Sequence, residues 1–410
     1  MTSALRTPQQ LLGDALTPAG KRDPHLIYDQ IRAQTPIWRD EHSGMWYLFR
    51  WSDCTEVFRS KLFAAPDLLK REPRFASSPS LQFLADTLSN LDPPDHTRLR
   101  SKLQRSFSAP VLRRSEVHVQ EVIVAAIAAL RDRKSFDVVA DFAALIPNTV
   151  ICELLGVPRA DHARFAGWLA DQFRLLSPVP PTDALLDEVD ISTKALVAYM
   201  GDLIEEKRRS PRADILSEMV KMQAGDAEPM SLREMTVTSS ILLAGGSDTS
   251  KTGISIGVRS LLEHRDQLAM LLADATLEAS MFEEVLRTGG AVLLANLRRA
   301  LVDTEVAGQR IAAGEFIVPV VAAANYDPDK FSDPMSFNIR RHPNPHLAFG
   351  AGIHVCIGNM LARMVAPRSI SALVRAFPNM RMLDDGRDVA TNLFAIRGLK
   401  SLPVSSGIDQ

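Results

Sequence analysis

The sequence predicts a mainly helical protein with small β-sheets, and three observations lead there. Helical patterns dominate from about residue 95 to residue 290, including 116–132, 141–155 and 187–209. Strand-like stretches are short and flank that block. No Gly/Ser linker, low-complexity run or internal repeat divides the 410 residues. One large domain, 23–410, is therefore expected behind an N-terminal extension, 1–22.

In chain order, His25 to Gln34 reads as a short helix, 36–38 and 45–49 as strands, and a second helix starts at Ser52. From about Ala64 to Asp95 periodicity is weak while Pro and Ser recur, an unusually long connection of the kind that serves as a lid. The helical block is broken at Leu176-Ser-Pro-Val-Pro-Pro-Thr182, a second predicted lid. Leu232 to His264 reads as one long helix. Residues 297 to 325 turn strand-like, with Glu305-Val-Ala-Gly308 as a turn and Phe316 to Val321 as a buried strand. Asn359 to Ala366 returns to helix.

Composition excludes several function classes. Lys plus Arg (47) nearly balance Asp plus Glu (49), and a net charge of −2 offers no footprint for nucleic acid. The three cysteines, Cys54, Cys152 and Cys356, are too few and too scattered for a disulfide framework, which points to a reducing cytoplasm. The opening residues have no apolar run, and Val122 to Leu130 falls far short of the roughly 20 residues that span a bilayer, so no membrane partner is expected. A hydrophobic fraction of 46% is ample for a core that encloses a bulky ligand.

The chemistry concentrates near Phe349-Gly-Ala-Gly-Ile-His-Val-Cys-Ile-Gly358. Glycines at 350, 352 and 358 let the backbone turn tightly and approach a flat ligand, and the helix start that follows offers free N–H donors. These donors are expected to lower the pKa of Cys356 and hold a thiolate. A dinucleotide fold lacks its third glycine here, and a proline-rich stretch precedes the loop where a strand is needed. Zinc held by His342, His346, His354 and Cys356 is disfavoured by the prolines and by the lack of a Cys-x-x-Cys partner.

Three further patterns accompany the loop. The long helix is interrupted by Leu243-Ala-Gly-Gly-Ser-Asp-Thr-Ser250, where adjacent glycines cost about 1 kcal/mol each and call for a compensating close approach. Glu284 and Arg287 share a helix face, as do the pairs Glu205/Arg208 and Glu206/Arg209, which read as solvated. Asp92-Pro-Pro-Asp-His-Thr-Arg-Leu-Arg100 places His96 and Arg100 at i,i+4, where two donors suit carboxylates. An ordinary basic helix start fits that segment equally.

Together these segments resemble the cytochrome P-450 monooxygenases. The loop follows F-x-x-G-x-H-x-C-x-G, the long helix [AG]-G-x-[DE]-T-[TS] at 245–250, and the remaining motifs are E-x-x-R at 284–287, D-P-P-x-H-x-x-x-R at 92–100 and R-x-A-x-x-D at 298–303. The resemblance runs from about residue 23 to 404 and implies a fold in which haem b lies between a long distal helix and the proximal Cys loop and helix. Cys356 would ligate the iron. His96, Arg100, Arg298 and His354 would hold the propionates, with Arg299 as the rival arginine, and Phe349, Gly350, Gly358 and Ala362 would complete the cofactor site. Asp248 and Thr249 would be the acid–alcohol pair that delivers protons, while Glu284 and Arg287 lock the core beside the cysteine. Phe83, Leu84, Leu175, Leu243, Gly246, Leu293, Leu294, Asn296 and Phe394 would line the substrate pocket, and Arg71 and Arg174 are candidates for an anionic substrate or for the surface.

The implied activity is oxygen insertion from dioxygen into a C–H bond of a hydrophobic compound, by hydroxylation or oxidative demethylation. A peroxide-driven reaction and a non-catalytic haem sensor are the alternatives. No flavin or iron–sulfur motif is present, so a ferredoxin-type donor and its reductase would supply electrons, docking near Lys102, Arg105, Arg113, Arg114 and Arg363. Two departures from the family pattern stand out: Tyr326 where arginine is common, and Thr288-Gly-Gly290 where an aromatic residue and a proline usually follow Arg287.

Overall fold

The computed structural model describes residues 6–107, 109–175, 181–223, 225–384 and 395–407. The predicted helices form, α2 with both expected bounds and the others displaced at one end. α1 (Pro8–Leu16), α2 (His25–Gln34) and α3 (Trp51–Arg59) are interleaved with β1 (Ile37–Arg39) and β2 (Trp46–Leu48), and β3 (Phe63–Ala64) follows. Next come α4 (Leu68–Arg71), α5 (Pro79–Ala85), α6 (Asp95–Ser106), α7 (Ala109–Arg114), α8 (Glu116–Ala128) and β4 (Ser135–Asp137). The body continues with α9 (Leu145–Leu155), α10 (His162–Phe173), α11 (Asp183–Arg209), α12 (Ile215–Gln223), α13 (Leu232–Glu263), α14 (Arg265–Ala273) and α15 (Glu278–Gly289). Strands β5 (Arg298–Ala300), β6 (Thr304–Val306), β7 (Gln309–Ile311) and β8 (Phe316–Pro319) precede α16 (Val321–Ala324), α17 (Asn359–Ala376), β9 (Arg381–Met382) and β10 (Pro403–Ser405).

The largest sheet has the order β1-β2-β8-β5-β3, with β2 and β8 parallel and the other neighbours antiparallel. β4-β10-β9 form a second sheet and β6-β7 a hairpin whose turn uses left-handed Ala307 and Gly308. The spine is α13, opened by a capping box in which Ser231 and Glu234 satisfy each other's backbone N–H. It packs on α9, α11, α15 and α17. Gly257 permits the last of these, since a Cβ there would lie 2.5 Å from Ile370 Cδ1.

Several expectations need correcting. The segment before residue 23, read as an extension, carries α1, whose Leu11, Leu12 and Ala15 are buried in one cluster with Tyr28 and Ile31. The stretch 64–95, read as aperiodic, holds α4 and α5, too short to show a period. Ser78 caps α5 by accepting from the Leu81 N–H, and Asp190 on α11 accepts from Ser78 Oγ (2.7 Å) and the Ser80 N–H (2.9 Å). A π-turn, Val139–Ala143, separates α9 from the residues expected to extend it. The strand predicted to reach Val321 stops at Pro319, and the turn expected at 305–308 begins only after Val306. Residues 176–180 of the second predicted lid lie outside the described residues.

One buried knot ties α15 to the chain leading to Cys356. Glu284 and Arg287 are both fully buried and joined by two 2.8 Å bonds. Arg287 also donates to the carbonyls of Asn325, Pro334 and Ser336. Glu284 further accepts from Arg341 Nε at 3.2 Å, the Asn338 N–H at 2.9 Å and Asn344 Nδ2 at 3.0 Å. Beside it, the Tyr326 ring stacks on His25 with centroids 4.7 Å apart, and its hydroxyl donates to the Thr288 carbonyl at 3.0 Å. Arg397 donates to the same carbonyl at 2.9 Å.

Burial changes the energetic scale of the Glu284–Arg287 pair. Exposed pairs at this spacing contribute a few tenths of a kcal/mol, whereas removing one partner of a buried pair strands the other charge. Arg287→Ala is therefore expected to lower the unfolding free energy by about 3–5 kcal/mol. Arg208→Ala, whose partner Glu205 is exposed, should shift it by less than about 1 kcal/mol. Urea denaturation of both variants checks the contrast.

Candidate active site

The loop before α17 forms as the glycines require. Gly350 and Gly352 have φ of 67° and 71°, the left-handed region. At Gly352 a Cβ would also lie 2.0 Å from the Phe58 carbonyl oxygen, so a side chain is excluded twice over. The Cys356 N–H donates to the Phe349 carbonyl at 2.9 Å, and Gly358 opens the helix, its carbonyl accepting from the Ala362 N–H. Phe349, Gly350, His354, Cys356, Gly358 and Ala362 are thus gathered in one turn and the helix start behind it.

The sulfur differs from expectation in one respect. Burial by the surrounding loop is the largest influence and pushes the Cys356 thiol up, against the N–H groups of Gly358 and Asn359 and the charges of Arg100 and Arg363, which pull it down. Cys356 remains exposed, whereas Cys54 and Cys152 are buried, and burial pushes the Cys152 thiol up to about 12.

Four basic side chains converge beside this loop from three parts of the chain. His96 and Arg100 come from α6, Arg298 from the start of β5, and His354 from the loop. His96, Arg100 and Arg298 are buried, and the His96 and His354 rings lie 4.4 Å apart between centroids. Neither nitrogen of His96 has a partner. Arg298 donates to the carbonyl of its neighbour Leu297. Desolvation pushes Arg298 down to about 10, opposed by Asp92. Desolvation, aided by the charges of Arg298, His96 and Arg100, pushes His354 down to about 3. Asp92 is already occupied by the Ala65 N–H. The cluster is a socket for an anion with more than one oxygen. Strand alternation turns Arg299 the other way, 3.6 Å from Asp67, which also takes a hydrogen bond from Arg71.

On α13, Thr249 Oγ1 donates to the Gly245 carbonyl at 2.5 Å, the back-bond expected of a helical threonine. Asp248 is held by Lys251 Nζ at 2.6 Å, one turn along, a partner readable from the spacing but missed. Ser247 bonds Asn148 of α9. The two glycines face different ways. Gly245 is open, whereas a Cβ on Gly246, predicted for the pocket, would lie 3.4 Å from Ile151 of α9.

The other predicted pocket residues divide into groups. Phe83, Leu84, Leu175 and Leu243 belong to one buried core. Leu293 and Leu294 pack instead with Tyr28, Tyr47 and Phe49 in the cluster around α1 and α2. Asn296 is exposed, and Phe394 lies outside the described residues. Arg174 is engaged by Asp171 and Glu188 on the surface. Among the expected docking charges, Lys102 is buried against Asp226, and Arg363 bonds Glu283. Arg341 was also missed, since its contact with Glu284 spans 57 residues and leaves no local spacing signal.

Comparison with known proteins agrees with this arrangement. The family model described as cytochrome P450 matches residues 36–388. The chain is 34% identical over 386 residues to the cytochrome P450 YjiB of Bacillus subtilis, covering 92% of this chain and 94% of the relative. It is 34% identical over 392 residues to the cytochrome P450 monooxygenase PikC of Streptomyces venezuelae, covering 93% and 91%. The crystal structure of P450BioI with an acyl carrier protein superimposes with a TM-score of 0.88 at 27% identity, covering 96% of this chain and 99% of that one.

The buried cations carry a stability signature. In the ligand-free chain, Arg298→Met should raise the unfolding free energy, by about 1–3 kcal/mol, because it removes a buried charge whose desolvation outweighs the opposing charge of Asp92. Arg299→Met should leave it nearly unchanged. Urea denaturation distinguishes the two, and a loss of stability at Arg298 would mark it as a structural residue.

Proposed function

The chain belongs to the cytochrome P450 family, haem b monooxygenases that insert one atom of dioxygen into a C–H bond of a hydrophobic organic substrate, and we propose that Cys356 ligates the haem iron here while His96, Arg100, Arg298 and His354 hold the propionates. The observation that carries this reading is the buried basic cluster, with both His96 nitrogens unpartnered, beside the Cys356 loop. Two carboxylates on one flat ligand would satisfy those donors, with charge-assisted bonds that suit guanidinium forks. Phe349, Gly350, Gly358 and Ala362 would border the ring. When bound, the haem supplies the site at which dioxygen is activated, and thiolate ligation favours cleavage of the O–O bond.

The chain's own part is holding charge, delivering protons and excluding water. The Cys356 thiolate is steadied by the Gly358 and Asn359 N–H groups and by Arg100. Thr249 could exchange its bond to the Gly245 carbonyl for one to a bound ligand, presenting a hydroxyl proton. Asp248, tethered by Lys251, would return a proton to that hydroxyl. Phe83, Leu84, Leu175 and Leu243 supply apolar surface for substrate. Asp248 and Thr249 together favour hydroxylation or oxidative demethylation. No helix among the described residues is long and apolar enough to cross a membrane. A cytoplasmic setting, with electrons from a ferredoxin-type donor and its reductase, completes the proposal. Its docking face would draw on the exposed Arg105 and Arg113, the buried Lys102 being committed elsewhere.

Two measurements test this assignment. Cys356→Ser is expected to abolish the thiolate absorption band of the reduced carbon monoxide complex, while Cys54→Ser and Cys152→Ser retain it; an unchanged band in the Cys356 variant would sink the ligand assignment. Thr249→Ala should still bind haem and substrate but divert electrons from product to hydrogen peroxide. Product yield per electron equal to that of the parent protein would remove Thr249 from proton delivery.

A further inference from the structure

We propose that Arg363, fixed by Glu283, tunes the charge on the Cys356 sulfur from behind Phe349, and so sets how readily the bound haem accepts an electron. The inference rests on Cys356 being the ligand. Arg363 lies on the first turns of α17, and its guanidinium carbon sits 4.6 Å from the centroid of the Phe349 ring. Phe349 is in turn the residue whose carbonyl receives the Cys356 N–H. A cation over an aromatic face polarises the ring toward itself. The Arg363 charge is near enough to act on the Cys356 sulfur, favouring its anionic form.

The positive charge is held in one geometry. Arg363 Nε and Nη2 donate to Glu283 Oε1 at 2.7 Å and Oε2 at 2.9 Å, and Nη1 donates to Asn359 Oδ1 at 3.0 Å. Glu283 also meets His346 Nε2 at 2.9 Å, and His346 Nδ1 accepts the Ala348 N–H at 3.2 Å. That second bond fixes the tautomer, so Nε2 carries the hydrogen that Glu283 accepts. Glu283 therefore braces the cation against the ring from α15, one residue away from the Glu284 knot. A bidentate fork committed in this way is poorly suited to be a partner's docking charge, the role predicted for Arg363 from sequence.

The arrangement has a sign. Adding an electron at the iron increases negative charge near the sulfur, which Arg363 favours and Glu283 opposes. The haem-loaded parent protein, Arg363→Gln, Arg363→Lys and Glu283→Gln are titrated spectroelectrochemically, with dithionite supplying one electron per haem. Arg363→Gln should move the midpoint potential negative, Glu283→Gln should move it positive, and Arg363→Lys should stay near the parent value. The ratio of reduced to oxidised protein at a fixed potential should change by up to about tenfold, equivalent to about 59 mV for one electron. Identical potentials in all four proteins, or shifts of the same sign in both glutamine variants, overturn the inference. With the parent's thiolate band present, such a result leaves the Cys356 assignment standing; a parent protein lacking that band removes the assignment and the inference together.

Discussion

The buried ion pair of Glu284 and Arg287 is the constraint on which the remainder of the arrangement depends. A carboxylate and a guanidinium taken fully out of water are tolerable only when their other lone pairs and protons are met, and here backbone carbonyls and N–H groups from 325–338, with Arg341 and Asn344, meet them. Those partners belong to the irregular chain that leads into the Cys356 loop. A stretch with little regular hydrogen bonding of its own is thereby held as firmly as a helix. The left-handed glycines then complete the turn at the sulfur, and Phe58 leaves no room at Gly352 for any other residue.

The basic cluster obeys the opposite logic. His96, Arg100 and Arg298 are buried with Asp92 as the carboxylate that acts on His96 and Arg298, an arrangement that costs stability and that binding of an anionic ligand would offset. Folding and cofactor retention therefore draw on different residues. The Glu284 knot belongs to the fold, and under the proposed function the cluster would hold the ligand at some cost to the fold.

Much of this was legible in the sequence because its carriers are local. His96 and Arg100 at i,i+4, the alternation that separates Arg298 from Arg299, and the glycines around Cys356 are all fixed by neighbours within a few residues. What escaped was long-range or dependent on burial. Arg341 reaches Glu284 across 57 residues. The Cys356 thiol is raised because desolvation outweighs donors that the sequence did reveal. The packing of Gly246 against Ile151 escaped as well, because adjacency in sequence does not say which way each of two helical glycines faces. The lid region concealed α4 and α5 because helices of four and seven residues are shorter than the window in which a period can be seen.

Tyr326 and the Thr288-Gly289-Gly290 stretch carry a consequence for how this sequence can change. The tyrosine hydroxyl and Arg397 converge on the Thr288 carbonyl, and any side chain at Gly289 would stand 2.3 Å from Ile256 Cγ2 on α13. Reverting either departure alone to the commoner residue would leave a carbonyl without one of its donors or drive a side chain into the spine. Replacement at either position therefore calls for an accommodating shift in its neighbours, at the Thr288 carbonyl in one case and at Ile256 on α13 in the other.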